Sequence, residues 1–304
     1  MAASRQRRID RGAVERLSRL ELRARRPVEG FYSGIHKSPY HGFNVEFAEY
    51  REYTPGDDPR YLDWRLFARS DRFFVKQFEA ETNLSCYLLL DSSGSMDFTS
   101  NTTTRLDYGA SLAAALALLM LRQGDQVGLV TFDTAVRHFI PPRGNPRHFS
   151  VIRDALEHLK PGRDTDVAAV LHGIAERVRR RSLVIVISDV FDDVERMMRG
   201  LQHFRHRRHE VIVFHVLDEA ELDFPFDRVT RFEAMERSQE IVADPRVVGE
   251  GYRAAFRKYL GEFQRGCTEK GIDYERVLTR EPFDRSLTAY LGRRKHGLAG
   301  GPRQ

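Results

Sequence analysis

The sequence predicts an α/β protein: a mostly parallel sheet with helices on both faces, preceded by a small β-rich N-terminal module. Three observations predict it. Short continuous apolar runs over 86–90, 127–132, 183–187 and 211–216 read as strands buried on both faces. Helix-length segments separate most of these runs, which requires crossover connections and hence parallel pairing. Residues 28–84 have another texture, rich in aromatics and punctuated by Gly and Pro, which fits short strands and turns better than long helices.

The elements follow in chain order. Ile9, Ala13, Leu17, Leu20 and Ala24 recur at helical spacing, so a helix is expected over 10–25, ended by Pro27. After the strand at 86–90 come a polar loop, a helix over 106–123 and the strand at 127–132. An edge strand over 136–140 stops before Pro141-Pro142. Helices fit 146–159 and 166–180, then the strand at 183–187, a helix over 191–207 and the strand at 211–216. Two short strands near 226–233 and 238–242 precede a long helix over 246–270, a strand over 274–278 and a last helix over 283–294. The resulting organisation is a basic arm (1–27), an aromatic module (28–84), an α/β domain (85–296) and a tail (297–304).

Composition narrows the function classes. The 304 residues are 41% hydrophobic, enough to bury a core, and 31% charged, which keeps the exterior solvated. Cys86 and Cys267 lie far apart without zinc-type spacing, so no disulfide framework or structural zinc site is expected, and a reducing compartment fits. The start of the chain has no secretory apolar segment, and the longest apolar stretch, 112–121, is far short of a membrane span. A soluble, cytoplasmic protein is the expectation. The net charge of +5 sits in the arm, where nine arginines face three acids within residues 1–26. Such an arm favours a solvated helix against an acidic surface over nucleic-acid binding.

In an open parallel sheet, ligands gather at the carboxyl ends of the strands, near the switch in strand order. The loop after the first apolar run is Asp91-Ser92-Ser93-Gly94-Ser95-Met96. It offers a carboxylate and alternate hydroxyls from Ser93 and Ser95, with Gly94 permitting a sharp turn. Asp164-Thr165-Asp166 and Ser188-Asp189 arrive from two other loops at the same expected edge. Oxygen-only donors of this kind suit Mg²⁺ or Mn²⁺.

The combination resembles the metal-ion-dependent adhesion site (MIDAS) of von Willebrand factor A (vWA) domains, over roughly residues 82–280. The resemblance implies that Asp91, Ser93, Ser95, Thr165 and Asp189 hold the metal, and that an acidic residue of a partner completes its shell. Asp164 or Asp166 could join the surrounding hydrogen bonds. One departure stands out: Val190-Phe191 follows Asp189, where many adhesion domains have glycine directly after the aspartate.

The most distinctive stretch runs from Arg51 to Arg65 and contains Pro55, Gly56, Asp57, Asp58, Pro59, Arg60, Asp63, Trp64 and Arg65. Pro55-Gly56 and Asp58-Pro59 favour tight turns. The favoured reading is a structural corner, with Trp64 packed and Arg60 or Arg65 paired with Asp63, over a second acid pair at Asp57 and Asp58. With Phe78 to Glu81, this run resembles the domain-of-unknown-function 58 (DUF58) family. That resemblance implies a chaperone-like protein working beside a MoxR-type AAA+ ATPase.

Other chemistries lack their signatures. No Gly-x-Ser-x-Gly elbow surrounds Ser93 or Ser95, and no phosphate-binding Gly-x-x-x-x-Gly-Lys loop exists. The chain is therefore read as a non-enzymatic module. A Mg²⁺-dependent phosphoesterase is the alternative, and nucleic-acid binding by the arm is a further one. His203, His206 and His209 suit the carbonyl end of a helix, and His215 reads as a strand residue.

Overall fold

A computed structural model describes residues 45–54, 62–80, 84–162, 167–233, 240–283, 285–287 and 290. The chain divides into two compact units, one over Tyr32–Asn83 and one containing Leu84–Gln304. The arm helix expected over 10–25, the motif residues Pro55 to Arg60 and the tail lie outside the described residues.

In the smaller unit, β1 (Val45–Glu52) pairs antiparallel with β2 (Phe74–Ala80), with a register shift between Phe47 and Glu49. A short helix the aromatic texture did not suggest, α1 (Trp64–Ser70), lies between them in the chain. Asp63 starts it. Its Oδ1 accepts the backbone N–H groups of Arg65 at 2.9 Å and Leu66 at 3.1 Å, two amides that the first turn leaves without partners. Asp71 closes the helix in the left-handed region, and Phe67 stacks on Phe73 with centroids 4.4 Å apart. Trp64 is not the packed centre of this corner: it is 62% exposed. It meets the stacked pair only at its rim, edge-on to Phe67 with centroids 6.4 Å apart.

The larger unit is built on a six-stranded sheet. Its strands are β3 (Ser85–Asp91), β4 (Gln126–Phe132), β5 (Val136–Arg143), β6 (Leu183–Ser188), β7 (Glu210–Leu217) and, after a separate hairpin of β8 (Thr230–Glu233) and β9 (Glu240–Ala243), β10 (Asp273–Leu278). The order across the sheet is β10-β7-β6-β3-β4-β5. All neighbours are parallel except β5, which runs antiparallel to β4 at the edge. The strand order reverses between β3 and β6, so their carboxyl ends flank the switch point.

The edge strand β5 continues through Pro141 and Pro142, beyond the expected stop at residue 140. Proline is tolerated there because an edge strand needs no donors on its outer side. Gly128 lies beneath: a Cβ on it would stand 2.6 Å from the Ile140 carbonyl and 2.9 Å from the Pro142 nitrogen.

Helices cover both faces. These are α2 (Arg105–Arg122), α3 (His148–Glu157), α4 (Val167–Arg177), α5 (Val194–His206), the short α6 (Glu219–Asp223) and α7 (Pro245–Glu269). On one face Leu89, Val130, Val184, Val186 and Val213 pack with Leu171 of α4, Leu201 of α5 and Phe263 of α7. Side chains alternate across a strand, so Leu90 and Ile187 point to the other face. There they meet α2 at Gly109, where an added Cβ would be 2.9 Å from Leu90 Cδ1 and 3.2 Å from Ile187 Cγ2. Cys86 and Cys267 are buried free thiols. No helix among the described residues is long and apolar enough to cross a membrane.

Candidate metal centre

Four sheet strands, β3, β4, β6 and β7, deliver an aspartate at their carboxyl ends: Asp91, Asp133, Asp189 and Asp218. All four are buried. Their partners differ.

Asp91, the last residue of β3, accepts the Ser93 N–H on Oδ1 at 2.9 Å and the Ser188 hydroxyl on Oδ2 at 2.7 Å. The first contact curls the loop back on the strand; the second joins the ends of β3 and β6. Burial first, and then the nearby Asp189 charge, push the Asp91 carboxyl up to about 7 despite these bonds. A short 3₁₀ turn over Ser95–Asp97 follows, and the Ser93 and Ser95 hydroxyl oxygens stand 3.0 Å apart. Ser92 points elsewhere, its hydroxyl donating to the Phe132 carbonyl at 2.8 Å.

Asp189 comes from the loop after β6. Its Oδ2 is buried without a hydrogen-bond partner. Arg105, the first residue of α2, is the cation nearest this oxygen among the described residues, with Nη1 at 3.3 Å. The same Nη1 lies 2.7 Å from Glu221 Oε1, and Nη2 donates to the Ser95 carbonyl at 2.6 Å. Phe98 lies under the guanidinium at 5.2 Å. Burial raises the Glu221 carboxyl while Arg105 pulls it down. Gly109 makes this placement feasible, because it lets the helix one turn beyond Arg105 sit directly on Leu90 and Ile187.

Val190, after Asp189, takes the left-handed conformation with φ of 54° and is fully buried. Where many adhesion domains place glycine, this chain holds a β-branched residue in a region that disfavours it. The Val190 carbonyl accepts from Asp192 N–H at 2.8 Å and from the Tyr259 hydroxyl of α7. The turn shape glycine would supply is thus present, imposed by packing.

Asp164, Thr165 and Asp166 lie outside the described residues. On one side of that segment, Gly162 donates its N–H to the Ser92 carbonyl at 2.6 Å, and its Cα faces Asp133 so closely that a Cβ would be 2.3 Å from Oδ2.

The other two aspartates are saturated. Asp133 accepts Arg137 Nε at 2.7 Å and Ala135 N–H at 3.1 Å. Asp218 takes Ala220 N–H and the Ser100 hydroxyl on Oδ1, and Ser100 N–H and the Thr279 hydroxyl on Oδ2. Burial works against its charge, yet the bonds from Ser100, Ala220 and Thr279 hold this carboxyl below its usual range.

Among the described residues, no group of three or more His, Cys, Asp or Glu side chains is placed to hold a metal. A cation at the β3–β6 ends would therefore use hydroxyls beside the carboxylates. Those residues fit a small hard ion: an orphaned buried carboxylate oxygen, a second carboxyl starved of compensation, and two converging hydroxyls. His203 and His209 lie elsewhere, whereas His215 is the partner of Ser188 across β6 and β7 and feels the Asp189 charge. His209 is buried and accepts the Ser182 N–H, and His203 meets His172 across α4 and α5 at 2.8 Å. His215 lies within β7 with Nδ1 2.8 Å from the Tyr274 hydroxyl, and burial pushes its imidazole down to about 4.

Arg105 and Glu221 were not singled out by sequence reasoning, and Ser188 was placed at this edge without a role. Arg105 did carry a signal: a cation in the first turn opposes the helix dipole, so another interaction must hold it there.

The family of proteins of unknown function DUF58 matches residues 49–260. The chain belongs to this family. Among relatives of this DUF58 protein, the uncharacterized protein Rv1480 of Mycobacterium tuberculosis is 27% identical over 292 residues, covering 94% of this chain and 90% of the relative. The uncharacterized protein YeaD of Bacillus subtilis is 28% identical over 123 residues, covering 40% of this chain and 28% of YeaD. Of solved structures, the conserved hypothetical protein BatB from Bacteroides thetaiotaomicron aligns with a TM-score of 0.46 at 14% identity, over 70% of this chain and 99% of BatB. The SpRpn10 VWA domain aligns at 0.41 and 9% identity, over 68% of this chain and 95% of that domain. With its 3-2-1-4-5-6 type strand order and lone antiparallel edge, the larger unit of the DUF58 protein is a doubly wound α/β domain.

Proposed function

We propose that this DUF58 protein is a metal-dependent protein-interaction module that grips a carboxylate of a partner through one Mg²⁺ or Mn²⁺. In this reading Asp91, Ser93, Ser95 and Asp189 hold the ion, with Thr165 completing the protein's share. The observation that carries it is the buried, hydrogen-bond-free Oδ2 of Asp189 after β6, the neighbour of β3, whose loop carries the Ser93–Ser95 hydroxyl pair. When bound, the ion supplies an incompletely neutralised Lewis acid, because hydroxyl ligands carry no charge. The chain's own residues do the orienting: Ser188 fixes the Asp91 carboxyl, and Arg105 fixes the Ser95 carbonyl. A hydroxyl-rich set suits gripping better than activating water, which is why the reading is non-enzymatic. The partner it favours is a MoxR-type AAA+ ATPase or a protein it remodels, with this chain as adaptor.

Titration calorimetry with Mg²⁺ and Mn²⁺ tests the site. The parent is expected to bind one ion, and Asp91→Ala and Ser93→Ala to weaken it at least tenfold, roughly 1.4 kcal/mol. Equal binding by parent and Asp91→Ala would sink the assignment. Affinity capture of the ATPase in Mg²⁺ against chelator tests the partner, with loss in chelator expected.

A further inference from the structure

Holding the Ser95 carbonyl accounts for a donor at Arg105 but not for its charge. A fully enclosed guanidinium beside a cation site is electrostatically opposed to the ion that site would hold. Arg105 is only 5% exposed. It is fixed from several directions: Asp189 Oδ2 at 3.3 Å, Glu221 Oε1 at 2.7 Å, the Ser95 carbonyl at 2.6 Å and the Phe98 ring beneath. Its Nε is buried without a hydrogen-bond partner, so the side chain is not held by ideal hydrogen bonding throughout. Glu221 is in turn locked, accepting the Asp218 N–H on Oε2 at 2.8 Å as part of the cap of α6. The guanidinium therefore cannot swing out to make room for a second cation without giving up its ion pair with the locked Glu221 and its bond to the Ser95 carbonyl.

Resting on the metal-site reading, we infer that Arg105 is a resident counter-cation that keeps the free site's affinity for a divalent ion low. Tight metal binding then requires the negative charge of an incoming carboxylate. The charge inventory gives the reason. Arg105 is already paired with Asp189 Oδ2, an oxygen assigned to the metal, as well as with Glu221, so part of that carboxylate's charge is offset before any metal arrives. A divalent ion near Asp189 Oδ2 would feel the guanidinium at short range through a poorly screening interior. A carboxylate from outside lowers that repulsion, so metal and partner fill the site together. Glu221 belongs to the same device, because it shares the arginine with Asp189 and draws it away from the metal ligand.

The expected effects have opposite signs at two neighbouring residues. Mn²⁺ binding to the full chain is measured by electron paramagnetic resonance, with and without sodium acetate as the carboxylate probe. Arg105→Gln, which keeps a donor toward the Ser95 carbonyl, should raise Mn²⁺ affinity about tenfold or more. It should also shrink the gain that acetate gives the parent. Glu221→Gln, which keeps an acceptor for the Asp218 N–H, leaves Arg105 to Asp189 alone and should lower affinity by a similar factor. Arg105→Lys should stay near the parent.

Weaker binding in both Gln variants means Arg105 only holds the loop together, and overturns the inference. So does an acetate gain unchanged in Arg105→Gln. If Arg105→Gln does not fold, the Glu221→Gln shift and the acetate gain of the parent decide, and absence of either overturns it. Failure of the metal reading itself looks different: parent and Asp91→Ala then bind Mn²⁺ alike.

Discussion

Asp91 and Asp218 occupy equivalent places, at the carboxyl ends of parallel strands β3 and β7, and both are fully buried. Their chemistry is opposite. Asp218 takes two donors on each oxygen and is held below its usual range, whereas Asp91 takes one on each, and burial and a neighbouring carboxylate drive it up to about 7. A buried carboxylate with its donors satisfied is part of the framework; one short of compensation is costly to keep charged. Asp133 falls with Asp218, and Asp189, with an orphaned Oδ2, falls with Asp91. The difference lies in the donors, not in the strands that carry the acids.

Replacing each acid by its amide breaks this comparison most sharply. In Asp218→Asn either orientation turns the new NH₂ toward a fixed backbone donor, Ala220 N–H at one oxygen or Ser100 N–H at the other. A loss of about 3 kcal/mol is expected, read by urea denaturation. Asp91→Asn in chelator should stay within about 1 kcal/mol of the parent, because the Ser188 hydroxyl can turn to accept. A larger loss at Asp91 than at Asp218 would reverse the assignment of roles.

Metal sharpens the contrast next. At one hundred times its dissociation constant, Mg²⁺ should stabilise the parent by about 2.7 kcal/mol, measured as a rise in Tm against chelator. Asp91→Asn should lose that rise.

Asp125 lies at the other end of the sheet, before β4, with Oδ1 accepting the Leu84 N–H at 3.2 Å and Oδ2 without a hydrogen-bond partner. Burial pushes it up to about 7. It is starved like Asp91 but has no described hydroxyl pair beside it, so it is a control for charge without a site. A carboxyl raised in the folded state binds its proton more tightly there, so its contribution is fully present below the unfolded pKa near 4. That contribution is lost as pH rises through about 7. Asp125→Asn should flatten this slope, gaining on the parent by up to about 2 kcal/mol between pH 4 and 8. Mg²⁺ should stabilise this variant as it does the parent.

The smallest effect is at Val190. Glycine there relieves a left-handed φ worth about 1–2 kcal/mol but empties a buried side-chain position of similar worth. Val190→Gly should fall within about 1 kcal/mol of the parent. Val190→Ala, which loses packing and keeps the strain, should be the less stable of the two. The opposite order would mean the backbone there is unstrained.

The buried strands were legible because β3, β4, β6 and β7 are enclosed on both faces and so read as unbroken apolar runs. That the Asp91 loop and Asp189 share one edge was legible because parallel topology fixes which strand ends meet. Helix α1 was missed: aromatic texture outweighed the capping signal of Asp63. β5 was cut short because alternation stops at proline, although an outer strand loses nothing there. Arg105 was hidden for a different reason. Its place depends on how closely α2 crosses Leu90 and Ile187 at Gly109, which is tertiary geometry that no local pattern encodes.

The two prolines of β5 also bear on how this molecule meets others. An outer strand with free amides is a template for foreign chains and for aggregation. Here the last part of that border, Ile140-Pro141-Pro142-Arg143, has no amide at two successive positions, and Arg137, His138 and Arg143 add polar bulk before and after. Recruitment by strand addition is discouraged along this border. This flank of the sheet is insulated against backbone pairing with a foreign chain.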